Sequence, residues 1–106
     1  MTNSEHISVH IDRGPTEVYA YASDLENLQR WARGVTPEMT IRFEEQNVLG
    51  VLDHWATVDG QIFYNPMRVI EDGTGSEVVF TLRDGTEQDR AAITEDLATL
   101  KWLLEG

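Results

Sequence analysis

Apolar and polar residues alternate from His6 to Asp12, with Ile7, Val9 and Ile11 on one side and His6, Ser8, His10 and Asp12 on the other. That period of two predicts a half-buried strand. Arg13-Gly14-Pro15-Thr16 breaks it, and Pro15 suits a helix start, where its missing N–H would have no partner anyway. Val18, Tyr21, Ala22 and Leu25 predict a short amphipathic helix. Asp24 reads as the cap of a second one, with Leu28 and Trp31 inward and Gly34 at its end. After Pro37 the period of two returns, as Met39, Ile41 and Phe43 alternate with Thr40, Arg42 and Glu44. A turn over 47–50 leads into a strand from Val51 to Val58. Asp59-Gly60 is the clearest hairpin signal, because both residues tolerate positive φ. Gln61 to Ile70 is the partner strand, 72–75 a further turn, and Ser76 to Arg83 the last strand. Thr86-Glu87-Gln88-Asp89 resembles a capping sequence, and Ile93, Leu97, Leu100 and Leu104 form the stripe of a long closing helix.

This order predicts one α+β domain over residues 1–106. Its antiparallel sheet has about five strands packed on the long C-terminal helix, with two short helices after strand one. A two-residue turn at Asp59-Gly60 fixes the register. Val58 then faces Gln61, Ala56 faces Phe63, His54 faces Asn65 and Leu52 faces Met67. Through the turn at 72–75, Met67 falls opposite Phe80 and Val69 opposite Val78. One face therefore carries Ile41, Phe43, Leu52, Ala56, Val58, Phe63, Met67, Val69, Val78, Phe80 and Leu82, and the leucine stripe is its natural cover. His54 and Asn65 interrupt that face side by side. Either they satisfy each other in the core, or they face a wet pocket or a ligand. His54 is also the only histidine placed to act as acid or base.

The opposite face pairs Trp55 with Tyr64, near Ile62, and sets Arg68 diagonal to Asp53 in the manner of a solvated surface pair. So many apolar residues on an outer face mark either a dimer interface or scattered exposed side chains. Trp102 lies off the helical stripe, either packed on the first helices or part of an interface.

Composition narrows the functions. The 106 residues hold 19 acidic against 8 basic side chains, a net charge of -11, which argues against nucleic acid and against an anionic membrane surface. With no cysteine there is no disulfide, thiolate metal site or Cys nucleophile. His6 and His10 lie two alternations apart on strand one, too far to share a metal alone, and read as surface residues; no metal and no cofactor is expected. No apolar run is long enough to span a bilayer, and MTNSEH lacks a signal pattern, so a cytoplasmic location is expected.

The opening HISVHIDRGPTEVYAYASDLENLQRW, with Asp24, Asn27, Leu28 and Trp31 in a D-x-x-N-L-x-x-W segment, resembles the START-like (SRPBCC) helix-grip superfamily. The middle block LGVLDHWATVDG–QIFYNPMRVI–GSEVVFTL and the closing DRAAITEDLATLKWLLE resemble its short bacterial polyketide cyclase/dehydrase-like members. The resemblance implies a curved sheet wrapped around the last helix over an apolar cavity that binds lipid-like or polyketide-like molecules. It places His54, Asn65, Phe63, Met67, Phe80, Trp31, Leu97 and Leu100 at the ligand. Relatives usually carry six strands between the second and last helices, and four are counted here, which implies a reduced, more open grip. Three functions follow: a binder of a small hydrophobic molecule; a protein-interaction module or homodimer using Trp55, Tyr64 and Ile62; or a small cyclase/dehydrase-type enzyme using His54. Asp53 and Tyr64 fall on the face opposite His54, so the reading leans away from an enzyme.

Overall fold

The computed structural model describes residues 3–106. Met1 and Thr2, where the 1–106 span and the MTNSEH stretch begin, lie outside the described residues. The first strand, β1 (Ser4–Ile11), turns Ile7, Val9 and Ile11 inward. Pro15 opens α1 (Pro15–Ala22). Asp24 opens α2 (Leu25–Trp31), its carboxylate accepting the Glu26 N–H at 2.9 Å. This helix buries Leu28 and Trp31 and ends at an Ala32 cap, ahead of Gly34. Then follow β2 (Thr40–Phe43), β3 (His54–Val58), β4 (Gln61–Asn65), β5 (Met67–Asp72), β6 (Gly75–Arg83) and α3 (Glu87–Glu105). Thr86 and Asp89 cap α3 reciprocally, each side chain accepting the other's backbone N–H.

The chain is α+β, but its strands form two three-stranded antiparallel sheets, β1-β6-β5 and β2-β3-β4, rather than one sheet of about five. The strand expected from Gln61 to Ile70 is interrupted at Pro66. Proline has no N–H for a ladder, so β4 ends before it and β5 begins after it. Five strands therefore lie between α2 and α3, where four were expected.

The register nevertheless runs unchanged through the interruption. Val58 pairs with Gln61 and His54 with Asn65. Beyond the break, Leu52 N–H donates to Met67 O at 2.9 Å, Val51 bridges Arg68, and Val69 N–H reaches Gly50 O at 2.8 Å. One hairpin thus contributes β3 and β4 to one sheet and then runs its ends alongside each other into the other. Asp59 (φ 50°) and Gly60 (φ 79°) both take the left-handed conformation that a tight hairpin turn requires. Met67 faces Phe80 and Val69 faces Val78, although the turn is tighter than the 72–75 segment suggested, since Asp72 itself pairs with Gly75.

The core joins Leu97 and Leu100 of α3 to Ile11, Val78, Met67, Val69 and Leu52, with Val18, Ala22, Leu28 and Trp31 from the short helices. The helix α3 packs chiefly against β1 and α2. The leucine stripe therefore covers only the β1-β6-β5 half of the apolar face, not all of it. Trp102 is 71% exposed, on neither of the first two helices. No helix among the described residues is long and apolar enough to cross a membrane.

Asn47 organises the turn before β3. Its carbonyl accepts the N–H groups of Leu49 and Val51, both at 3.0 Å. Its amide donates to the carbonyls of Glu45 at 2.9 Å and Val51 at 3.0 Å. Gly50 then passes close to β5 at φ 77°, where an added Cβ would lie 2.2 Å from the Val69 carbonyl oxygen. Both the conformation and the contact exclude a side chain. Gly50→Ala is expected to cost about 3 kcal/mol or more, read as a fall in the urea midpoint, whereas Gly73→Ala, also at positive φ but in open space, costs clearly less.

Candidate functional site

Because α3 leaves the β2-β3-β4 sheet partly uncovered, a cavity of about 440 Å³ opens between that sheet, α2 and α3. Ile41, Ala56, Val58 and Phe63 line it from the sheet, and Phe80 and Leu82 from β6. Leu28, Trp31, Val35 and Met39 close it from α2 and the segment that follows. From α3 come Asp89, Ala92, Ile93, Asp96 and Leu97. Six of the expected ligand residues stand on this wall: His54, Asn65, Phe63, Phe80, Trp31 and Leu97. Met67 and Leu100 do not. Both are buried in the core, where Met67 lies beyond Pro66 and Leu100 sits one turn along α3 from Leu97, the last residue of the helix to line the cavity. Phe63 is 50% exposed, so the wall is open on the β4 side.

His54 and Asn65 are directly paired across β3 and β4. They do not form the self-satisfied pair that was one expectation: His54 Nδ1 instead lies 3.0 Å from the Leu52 carbonyl oxygen. His54 is only 9% exposed, its ring between Phe43 (centroids 5.3 Å apart) and Phe80 (6.1 Å). Burial holds its pKa below the ordinary 6.5, outweighing the Leu52 carbonyl and the Asp53 charge. Trp31 Nε1 is the one buried side-chain polar atom without a partner among the described residues. Asp96 is pushed up by burial, although the Arg33 N–H donates to it at 3.2 Å.

Asp96 escaped the sequence reading, and Asp89 entered it only as part of the capping sequence, not as a cavity residue. The signal was present, since Asp89, Ile93 and Asp96 follow helical spacing on the edge of the Ile93–Leu97 stripe.

The outer face carries a different cluster. Asp53 is not the solvated partner of Arg68 that was expected: it is only 6% exposed. It accepts from the Tyr64 hydroxyl, the Met67 N–H at 2.9 Å and Arg68. Burial pushes its pKa up, but these three donors outweigh it and leave the carboxyl below its usual range. None of the three hydrogen bonds to the Asp53 carboxylate comes from His54. Trp55 and Tyr64 stack at 5.2 Å, with the Arg42 guanidinium 4.5 Å from the Trp55 ring. Ile62 beside them is 68% exposed.

At the far end of β1, His10 Nε2 and Nδ1 each lie 3.1 Å from a carboxylate, of Asp12 and Asp72 respectively, and Glu77 lies at 3.8 Å. One ligand atom each from His10, Asp72 and Glu77 could hold a metal ion, all within 4.8 Å of one another. The sequence reading compared His10 with His6 because the β1–β6 pairing that sets Glu77 opposite His10 is not local. With an acceptor at both ring nitrogens, the imidazolium is the form this cluster binds best, and the Asp12 and Asp72 hydrogen bonds raise the His10 pKa.

Comparison with known proteins fits this architecture. No protein-family model and no curated protein matches the chain. Among solved structures, an AHSA1-like protein of Rhizobium etli aligns with TM-score 0.65 at 18% identity, over 100% of this chain and 84% of that one. CalU16 of Micromonospora echinospora gives 0.72 at 16% identity, over 99% and 76%. Ara h 8.0201 gives 0.56 at 9% identity, over 100% of both. The chain has a helix-grip type fold. In this helix-grip domain the grip is half closed, because the helix clasps one sheet and leaves the other to wall the cavity.

A raised histidine pKa stabilises the fold fully below the unfolded value of 6.5, and that contribution disappears as pH rises through the folded value. The groups facing the ring are Asp12, Asp72 and Glu77, while Lys101 Nζ donates to the His10 carbonyl. The urea-midpoint difference between wild type and His10→Gln is therefore expected to shrink as pH rises from about 6 to about 8. A pH-independent difference would show that the ring's charge contributes nothing.

Proposed function

We propose that this chain binds a small hydrophobic molecule, lipid-like or polyketide-like, in the cavity between the β2-β3-β4 sheet and α3, as a short START-like (SRPBCC) protein of the polyketide cyclase/dehydrase-like kind. The observation that carries this reading is the cavity itself. Its volume, about 440 Å³, falls within the usual range for small-molecule sites, and apolar side chains dominate its walls. The polar groups on it are few, His54 paired with Asn65 from the sheet and Asp89 and Asp96 from α3, the usual way of orienting an apolar ligand without filling the site with water. Binding is favoured over reaction because Asp53 and Tyr64, the assistants a His54-based mechanism would call on, are bonded to each other on the outer face.

Ala56 points into the cavity from the middle of β3, between Ile41 and Phe63. Nile red, an uncharged apolar dye, is expected to bind the wild-type protein with a blue-shifted emission. Ala56→Phe should weaken that binding by about tenfold by occupying the space, with the thermal midpoint nearly kept. Undiminished dye binding by a folded Ala56→Phe protein would place the dye elsewhere and remove the support for this cavity.

A second reading is favoured by the exposure of Ile62 beside Trp55 and Tyr64: this outer face joins two copies of the chain. Light scattering across a concentration series would then show a dimer that Ile62→Lys converts to monomer. A monomer at every concentration sinks this reading and leaves the first untouched.

A further inference from the structure

The polar points on the cavity wall specify more than an apolar occupant. His54 Nδ1 faces the Leu52 carbonyl oxygen at 3.0 Å, and a carbonyl can only accept, so Nδ1 carries the proton. The ring is buried between Phe43 and Phe80, and that burial favours its neutral form. A neutral imidazole protonated at Nδ1 has a bare lone pair at Nε2. Nε2 is not among the sealed, unpartnered atoms, a condition met only by Trp31 Nε1 among the described residues. Since His54 lines the cavity, its open nitrogen offers an acceptor there. Asn65, paired directly opposite, lines the cavity too and supplies an amide.

Charge narrows the ligand further. Among the described residues, no Lys or Arg lines the cavity, while Asp89 and Asp96 do. A carboxylate or phosphate entering this space would lose its water and meet no cation, an uncompensated cost. The net charge of -11 opposes its approach as well.

Resting on the binding reading above, we propose that the cavity selects an uncharged apolar molecule bearing a hydroxyl, whose O–H donates to His54 Nε2. A hydroxyl both donates and accepts, so the same oxygen can take the Asn65 amide as its second partner. Fatty acids and other amphiphilic anions are the class this wall rejects.

Three aromatic probes of one shape separate the possibilities: 2-naphthol, 2-methoxynaphthalene and 2-naphthoate, each titrated by displacement of Nile red. The wild-type protein is expected to prefer naphthol to its methyl ether by about tenfold, against the ether's greater hydrophobicity, and to bind naphthoate weakest. In His54→Phe the naphthol preference should vanish while the ether still binds. On the wild-type protein, naphthol should also shift the His54 Nε2 nitrogen resonance, a readout that needs no variant. Equal binding of naphthol and ether, a preference that survives in His54→Phe, an unmoved Nε2 resonance, or naphthoate binding as tight as naphthol would each overturn the proposal. Ether binding without naphthol preference leaves the cavity reading standing. Failure of all three probes to bind overturns both.

Discussion

The structure depends on how one hairpin changes sheets. Pro66 cannot donate to a ladder, and the position it faces, Asp53, does not pair through its backbone there. The Asp53 carboxylate takes over instead. It accepts the first N–H after the proline, from Met67, and gathers the Tyr64 hydroxyl and the Arg68 guanidinium from either side of the break. A buried carboxylate with three donors fixes the angle of the bend where the ladder is missing. Replacing it with an apolar residue would leave the Met67 N–H without its partner, a cost of about 1–3 kcal/mol.

The bend decides where the last helix can pack. With β5 and β6 turned toward β1, α3 lays Leu97 and Leu100 onto that sheet and α2. The second sheet leans away, and its inner residues meet a space rather than the helix. Trp31, buried at the end of α2, closes one side of that space. The cavity is thus a consequence of the same proline and carboxylate, not of a shortage of apolar side chains.

Much of this was readable in the residues. Turn chemistry at Asp59-Gly60 gave the pairing of His54 with Asn65 and of Leu52 with Met67, because a two-residue loop leaves no freedom of register. Alternation placed Ile41 and Phe43 on the same face as Ala56 and Phe63. The break itself had a signal, the proline inside a run otherwise written as strand, that the apolar pattern on both sides concealed. The burial of Asp53 had none. Alternation assigns faces, and a face near a bend can be outer in parity yet closed by its neighbours. The company kept by His10 was equally out of reach, since it depends on pairing between β1 and β6, which lie at opposite ends of the chain.

The exposure of Ile62, Phe63 and Tyr64 has a mechanical meaning. Both surfaces of β4 near the hairpin tip lack dense packing, so small displacements there give up little burial. The β1-β6-β5 sheet, pressed against α3, has no such slack. The chain therefore resembles a clamp with one stiff jaw and one compliant jaw, whose pivot is the bend at Asp53 and Pro66. Flexing of the compliant jaw alone would widen the cavity, while the leucines of α3 stay in place.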